Sequence, residues 1–322
     1  MAEDPKQLHR KAVRILALTT VFWSLSFPLV KAITIIQGAL IPGASSWFHA
    51  GLTAFVRFAA AGAVVAIMSA ETLRAFTLCE LWQGIGLGFF AAGGILLQMD
   101  GLSHTSASTS AFLTQGFCVI VPIIVALRDR RVPGLRVIVA LLLLMIGVAI
   151  LSNFDLKILR LGRGEAETLI AAVFFAGQII WLDRPIFAKN NADHFSVAMF
   201  ATMALISAPI IVMTWRGPQD VVICYSTPSV IVLSSAITFF CTVIAFVYMN
   251  KWQRFVPATE AAIIYGAEPV FASILALFLP EIISKFADIH YANERVTWQL
   301  LAGGGLVVGA NVLLQLRWKR PD

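Results

Sequence analysis

Arg57 and Glu268 are the charged residues that lie deepest inside long apolar stretches of this sequence. Arg57 falls within the stretch 48–69, and Glu268 falls within 257–279. A charged side chain at the centre of a membrane-crossing helix costs roughly 2.5–3.5 kcal/mol, so such residues usually face a partner or a water-filled cavity. If both stretches are helices, the two side chains lie about 13–17 Å from the same membrane surface. We therefore predict an intramembrane charge pair between Arg57 and Glu268.

A proline follows Glu268 directly, which predicts an interruption of the helix at that point. Proline removes one helical hydrogen bond and disfavours the helical conformation at the residue before it. An interrupted helix beside a carboxylate suits a substrate-binding site or a hinge. A kinked packing helix with a paired glutamate is the alternative, and the sequence leaves both open.

Amide and aromatic side chains inside other apolar stretches form a second group of candidates. Gln115 and Tyr265 occupy equivalent positions when the chain is shifted by 150 residues, which suggests that both face one central cavity. For any single glutamine, the simpler alternative is a hydrogen bond between helices, worth about 0.6 kcal/mol in one membrane protein. The candidate substrate-binding residues are Trp23, Gln98, Gln115, Gln178, Tyr265 and Glu268.

The stretches that carry these residues predict an all-α integral membrane protein. Hydrophobic residues make up 59% of the chain and charged residues only 13%, whereas soluble domains carry roughly 25% charged residues. An apolar run of about 18 residues or more is long enough to cross a bilayer, and inside lipid it must be helical. About ten transmembrane helices are predicted, at 15–36, 48–69, 81–102, 106–127, 135–153, 166–186, 195–214, 228–249, 257–279 and 297–317.

Lysine and arginine set the predicted orientation. Most of the 24 basic residues fall on the inner side if the N-terminus is inside, which places both termini in the cytoplasm of a cell bounded by a bacterial inner (plasma) membrane. The net charge of +6 follows from this bias and predicts no nucleic-acid partner. The predicted partners are the lipid bilayer and a small-molecule substrate, and a homodimer is left open. Asp100 and Asp183, which lie near span ends, are expected to reach the lipid headgroups.

An internal repeat divides the chain at residue 153. The fourth predicted span matches the ninth under a shift of 150 residues, with Gly116 on Gly266. The fifth matches the tenth under a shift of 162, with Gly147 on Gly309. Residues 1–153 and 154–322 therefore each hold five spans, and an odd number forces the two halves into opposite orientations, as in many transporters. Chance similarity between apolar helices is the alternative.

Other motifs bear on which functional classes fit the sequence. The four cysteines include no Cys-x-x-Cys pair and the five histidines no ligand pair on one helix face, so neither a metal nor a cofactor is expected. No phosphate-binding loop for ATP-driven transport is present. Glycines spaced by four residues, Gly84 with Gly88 and Gly305 with Gly309, predict close helix packing.

Short motifs follow one another along the whole chain. They are Phe22-Trp23 with Phe27 and Lys31, Arg57-Phe58, Ser106-Ala107-Ser108, Glu268-Pro269-Val270 and Asn293-Glu294-Arg295. In this order they resemble the EamA family of the drug/metabolite transporter superfamily. The resemblance implies two EamA-like repeats around a cavity lined by spans 1, 3, 4, 6, 8 and 9. It also implies a secondary transporter or facilitator, often an exporter, of small organic metabolites such as amino acids. Ser24 and Arg128-Asp129 depart from the family pattern, so the substrate stays open.

A membrane-embedded enzyme and a membrane protein without transport are the two alternatives. An enzyme such as a lipid-phosphate hydrolase needs clustered His, Asp, Glu or Arg at one membrane face, and the sequence has no such cluster. The inverted repeat argues against a protein without transport. We therefore predict a transporter and not an enzyme, with direction, coupling ion and oligomeric state left open.

Overall fold

The computed structural model describes residues 5–105, 107–151 and 162–315 of the chain. Every regular element in those ranges is a helix. The α-helices are α1 (Pro5–Leu40), α2 (Ser46–Met68), α3 (Leu78–Gly101), α4 (Ala107–Thr114), α5 (Phe117–Asp129), α6 (Leu135–Leu151), α7 (Arg163–Leu182), α8 (Ala192–Thr214), α9 (Pro218–Cys224), α10 (Pro228–Ala236), α11 (Ala245–Trp252), α12 (Ala258–Tyr265), α13 (Glu268–Ala276), α14 (Leu279–Ala287) and α15 (Trp298–Gln315). A π-helix (Ile237–Ile244) joins α10 to α11. The predicted boundary between the two halves, at residues 153 and 154, lies outside the described ranges, as does Ser106.

Seven helical segments in the described ranges are long and apolar enough to cross a membrane. Two of them, Phe112–Asp129 and Pro228–Phe255, run across more than one of the helices given above. The number is eight if Ala258–Ala276 and Leu279–Ala287, which meet at 58°, count as one span. Two shorter apolar helices, Leu135–Leu151 and Trp298–Leu314, lie where the fifth and tenth spans are predicted, and each ends at or next to a border of the described ranges. The all-α integral membrane class is confirmed, and the count by length and apolarity is somewhat below the predicted ten.

Two of the predicted spans are interrupted near their middle. α4 ends at Thr114 and α5 begins at Phe117, while α12 ends at Tyr265 and α13 begins at Glu268. The interruption predicted from Glu268 and Pro269 is therefore confirmed. Pro269 lies in the first turn of α13, where a backbone N–H has no helical partner to lose. Glu268 lies in that same turn, at the positive end of the dipole of α13.

The helices pack into one bundle around α1 and the interrupted spans. α2 packs along α8, α3 packs along both α7 and α8, and α6 packs along α15. α1 contacts the π-helix, α11 and both parts of the interrupted span α12–α13. α7 lies against α4, α5 and α12. The candidate residues on α1, α7, α12 and α13 are thereby brought to the same region.

Gly84 and Gly88 confirm the close packing predicted for them. A Cβ atom at Gly84 would lie 2.6 Å from the Phe195 carbonyl oxygen, and one at Gly88 would lie 2.6 Å from the Met199 carbonyl oxygen. Both neighbours are backbone atoms of α8, which cannot rotate away as a side chain could. The glycines therefore let α3 approach the backbone of α8 directly.

The second predicted glycine pair is wrong. A Cβ atom at Gly305 or Gly309 would meet no described atom within 4 Å. The tight contact of α15 uses Gly303 instead. Its Cβ would lie 2.6 Å from the Gly147 carbonyl oxygen of α6, and a Cβ at Gly147 would lie 2.8 Å from the Gly303 carbonyl oxygen. A four-residue spacing on α15 therefore identified the right helix but the wrong face.

Candidate functional site

Glu268 lies at the break between α12 and α13, and its backbone is tied to α1. Ser24 Oγ lies 2.8 Å from the Glu268 carbonyl oxygen, to which it can donate a hydrogen bond. The carboxylate itself makes no hydrogen bond and no ion pair with any residue in the described ranges. It is only partly buried, although it belongs to an apolar span. A carboxylate that the surrounding protein leaves without a direct partner in such a place is available to a ligand.

Arg57 is the buried cation of the same region, with 8% of its surface exposed. Its Nη2 donates a hydrogen bond to the Cys241 carbonyl oxygen (3.0 Å), and its Nε donates one to Thr242 Oγ1. Thr242 Oγ1 in turn donates to the Ile237 carbonyl oxygen at 3.0 Å, across five residues of the π-helix. Arg57 therefore joins α2 to the π-helix, and π-helical turns are frequent at functional sites.

The charges of Arg57 and Glu268 interact, but not by direct contact. The two side chains interact electrostatically through space. Both residues lie in the described part of the chain, and no nitrogen–oxygen contact of 4.0 Å or less joins them. The guanidinium is held back by its bonds to Cys241 and Thr242. The charge pair predicted from depth therefore stays a prediction, in the form of two opposite charges separated by a gap.

Two of the predicted aromatic residues meet beside this gap. The rings of Trp23 and Tyr265 lie 5.1 Å apart edge to face, and Phe246 lies 5.4 Å from Trp23. Trp23 Nε1 is buried without a hydrogen-bond acceptor among the described atoms. Tyr265 OH donates a hydrogen bond to Gln253 Oε1 (3.0 Å). Trp23 thus keeps an unused donor, whereas the Tyr265 hydroxyl is engaged.

The three predicted glutamines have different surroundings. Gln98 Nε2 donates to Thr114 Oγ1 (3.1 Å) and so joins α3 to α4. This is the hydrogen bond between helices that was the simpler alternative for a single glutamine. Gln115 is 2% exposed and lies in the break after α4, where its Oε1 is 3.8 Å from Cys118 Sγ. Gln178 is 4% exposed, and its Nε2 has no described partner. Assignment of any of the three to substrate stays a prediction.

Gln253 is a residue that the sequence did not single out. It follows α11 and is 1% exposed. Its Oε1 accepts the Tyr265 hydroxyl, and its Nε2 donates to the Ile179 carbonyl oxygen (2.9 Å). It therefore links the end of the eighth predicted span to α12 and α7. In the sequence it follows Lys251 and Trp252 at the end of an apolar run, a pattern typical of a solvent-exposed loop.

The expectation that Asp100 reaches the lipid headgroups is wrong. Asp100 is fully buried. Ser46 Oγ donates to Asp100 Oδ1 (2.6 Å), and Arg163 Nη2 donates to Asp100 Oδ2 (2.5 Å). The carboxylate therefore joins the first turns of α2 and α7 to the last turn of α3. A buried carboxylate with partners from two other helices is satisfied in place, so it has no need of the lipid surface.

Comparisons with known proteins agree with this membrane architecture. No family model matches the chain. An uncharacterized transporter from Archaeoglobus fulgidus is 27% identical over 285 residues, which is 88% of this chain and 82% of that protein. The uncharacterized transporter YcbK from Bacillus subtilis is 25% identical over 206 residues, covering 63% of this chain and 66% of the relative.

The fold also occurs among solved structures. A structure described only as "Crystal structure of protein" superposes with a TM-score of 0.69 at 15% identity, over 95% of this chain and 96% of the other. At that identity the likeness concerns the fold alone. The membrane-crossing helices and the similarity to proteins named as transporters together support a multi-pass membrane protein that is a transporter in general.

Proposed function

We propose that the protein is a secondary transporter or facilitator of small organic metabolites, such as amino acids, and belongs with the EamA family of the drug/metabolite transporter superfamily. One observation carries the proposal: polar groups at or beside the α12–α13 break have no hydrogen-bond partner among the described residues. They are the partly buried Glu268 carboxylate and the buried Trp23 Nε1, whose ring lies against that of Tyr265. An unpaired buried polar group costs roughly 1–3 kcal/mol, and a bound solute would remove that cost.

The chemistry of these groups favours a zwitterionic solute. The Glu268 carboxylate accepts the hydrogen bonds of an ammonium group. Arg57 uses two of the five N–H groups of a guanidinium for its bonds to the π-helix and keeps the others for a carboxylate. An amino acid carries both charged groups on one carbon atom and would fit between the two side chains. Trp23 Nε1 and Gln178 Nε2 add donors for further solute oxygens.

The contacts between helices support two five-helix repeats, 1–153 and 154–322. Three contacts join spans that are equivalent under the repeat: α2 with α8, α5 with α12, and α6 with α15. Six more contacts form three matched pairs. The contact of α3 with α7 corresponds to that of α11 with α1. The contact of α3 with α8 corresponds to that of the π-helix with α2. The contact of α5 with α7 corresponds to that of α13 with α1. A two-fold axis through the bundle produces this pattern.

The helix breaks follow the same symmetry. The break after Thr114 contains Gly116, and the break after Tyr265 contains Gly266, its equivalent under the 150-residue shift. Interrupted spans in corresponding positions of two halves are typical of transporter binding sites. With the proposed five spans in each half, such an axis would lie in the membrane plane and the halves would be inverted.

This arrangement predicts a topology that reporter fusions measure. We expect both termini in the cytoplasm, and the segment between Ala287 and Trp298 outside. Alkaline phosphatase inserted in that segment should be active, whereas the same enzyme fused after Asp322 should be inactive. Green fluorescent protein should give the opposite result. Activity at both positions would contradict an even number of spans with cytoplasmic termini, and with it the inverted repeats in a bacterial inner membrane.

The proposed activity is tested by comparing metabolites inside and outside cells that do or do not express the protein. A transporter should lower one small metabolite inside and raise it outside by the same amount, or do the reverse. The sum over both compartments should not change, because transport makes no product.

Two outcomes would favour the alternatives. A membrane-embedded enzyme would change that sum and produce a second compound. A membrane protein without transport would leave every metabolite unchanged in both compartments, at an expression level where the protein is detected in the membrane fraction. Either result would overturn the proposal.

A further inference from the structure

A cavity whose lining does not include Glu268 lies at the Gln253 end of the bundle. It has a volume of about 200 Å³ and lies between the ends of α3, α7, α8 and α11. Its wall includes Gln83, Arg184, Asn250 and Arg254. Drug-sized ligands occupy pockets of roughly 300–1,000 Å³, so this one suits a ligand of a few carbon atoms. In the proposed orientation the cavity faces the cytoplasm.

Two guanidinium groups in the wall carry unpaired positive charge. Among the described residues, neither Arg184 nor Arg254 has a carboxylate within 4.0 Å. Arg254 donates only long hydrogen bonds, to the Ala188 carbonyl oxygen (3.3 Å) and the Asn190 carbonyl oxygen (3.4 Å). Arg184 lies over the Trp181 ring, 4.6 Å from its centroid. Both arginines therefore keep N–H donors for an anion.

The carboxylate in the same wall does not cancel this charge. Asp183 Oδ2 lies 3.5 Å from Arg128 Nη1, on the α5 side. Burial raises the pKa of the Asp183 carboxyl, and the nearby Arg128 guanidinium opposes that shift. Arg128, which does not line the cavity, thus compensates the negative charge of Asp183. Arg184 and Arg254 give the cavity a net positive character.

Asn250 provides an independent sign that a ligand belongs here. It is 1% exposed and lines the cavity. Its Nδ2 donates to Ser196 Oγ (2.8 Å), while its Oδ1 is buried without a partner among the described atoms. A buried acceptor without a donor is costly. An ammonium or hydroxyl group of a ligand in the cavity would supply that donor.

We propose that this cavity is a second binding site, for small carboxylates, and that it receives the solute on its way to or from the central groups. The carboxylate would bind Arg184 and Arg254, and the ammonium of an amino acid would donate to Asn250 Oδ1. The role in transport rests on the function proposed above; the binding does not.

Gln253 links the chain beside the cavity to the central groups. It is the neighbour of Arg254 in the chain, and it bonds to Tyr265 OH and to the Ile179 carbonyl oxygen. Tyr265 in turn touches Trp23. On the proposed route, a solute that leaves Arg254 would pass Gln253 before it reaches Tyr265 and Trp23. The proposed route would open when the two hydrogen bonds of Gln253 break.

The charge of the cavity can be measured with a cysteine in its wall. Ala188 lines the cavity and is exposed. In an A188C variant that also carries C79S, the remaining native cysteines are buried. The purified protein in nanodiscs would be treated with a sulfonate-bearing and a trimethylammonium-bearing methanethiosulfonate. We expect the ratio of the anionic to the cationic reaction rate to fall on the order of fivefold for each of R184Q and R254Q.

K251Q is the matched control, since Lys251 carries the same charge three residues before Arg254 but does not line the cavity. We expect it to change the ratio less than twofold, on the order of a screened surface charge. A ratio that R184Q and R254Q leave unchanged would overturn the proposal. So would an equal effect of all three variants, because the potential would then be that of the whole surface.

Binding is tested with the same cysteine. Isobutyrate and L-valine, at up to tens of millimolar, should slow labelling of A188C severalfold, and L-valinol, which lacks the carboxylate, should not. The R184Q/R254Q variant should lose this protection. Absence of protection by both carboxylates, or equal protection by L-valinol, would overturn the carboxylate site. Protection without any solute flux would leave the site standing and contradict only the proposed transport function.

Discussion

Replacing Glu268 by glutamine should lower solute flux by about 10²-fold while leaving the protein inserted and folded. The reason is that the carboxylate has no hydrogen-bond or ion-pair partner in the described ranges, so its replacement breaks no hydrogen bond or ion pair there. Removing one partner of a buried charge pair with a ligand costs about 2–5 kcal/mol, which corresponds to roughly 30-fold to several thousandfold, and 10²-fold lies within that range. Flux would be measured in proteoliposomes with the metabolite that the cell comparison identifies, and folding by size-exclusion profile and melting temperature.

Glu281 offers a matched control in the same half of the chain. It is an exposed carboxylate whose Oε1 lies 2.7 Å from Lys285 Nζ, and E281Q should leave flux within twofold of wild type. Arg57→Gln should differ from Glu268→Gln, because it removes the bonds to Cys241 and Thr242 and so loses stability as well as flux. Normal flux in E268Q would exclude Glu268 from the solute path and leave it as a packing residue.

Valine at Gly84 should lower the melting temperature by about 5–10 °C, or prevent accumulation of folded protein. Its Cβ would lie 2.6 Å from the Phe195 carbonyl oxygen, and 2.4 Å from the Ala198 Cβ atom. Because the oxygen belongs to the backbone of α8, the two helices must move apart. Overpacking of this kind typically costs about 1–3 kcal/mol and occasionally more, and a kilocalorie moves the melting temperature of a large domain by about 2–4 °C.

The matched control is valine at Gly305, which also lies on a membrane helix but has no described atom within 4 Å of the added Cβ. We expect a shift of less than about 2 °C, because a surface substitution usually changes stability by no more than about 0.5 kcal/mol. Equal destabilisation by both substitutions would mean that the loss of glycine itself, and not the approach of α8, controls stability. Fluorescence-detected size exclusion after heating measures both variants.

The position of the apolar helices along the chain was predictable, whereas the choice of neighbouring helices was not. The apolar stretches in the sequence predict the helical class and the approximate location of each span, because lipid requires internal backbone hydrogen bonds along the whole stretch. The same reasoning places Arg57 and Glu268 at similar depth. It says nothing about which helices are neighbours. In the structure the guanidinium is therefore held by Cys241 and Thr242 of a third span, which depth alone could not indicate.

The interruption at Glu268 was predictable because proline acts on the local backbone. The roles of Gln253 and Asp100 were not, since each is decided by a partner from a distant part of the chain. Asp100 is held by Arg163 of α7, and Gln253 by Tyr265 of α12. The glycines of α15 illustrate the same limit. Gly303 and Gly305 have the same local sequence character, and only the position of α6 distinguishes them.

The π-helix at Ile237–Ile244 has a consequence for comparing this chain with its relatives. A π-helical turn closes its hydrogen bonds one residue later than an α-helical turn, so it amounts to an inserted residue in an otherwise continuous helix. A relative with an ordinary α-helix here would need one alignment gap inside this segment. Without the gap, every position from Ala245 onward would be paired with a neighbour about 100° around the helix. Asn250 and Arg254 would then be matched to residues on another face, and the cavity that they line would go unrecognised.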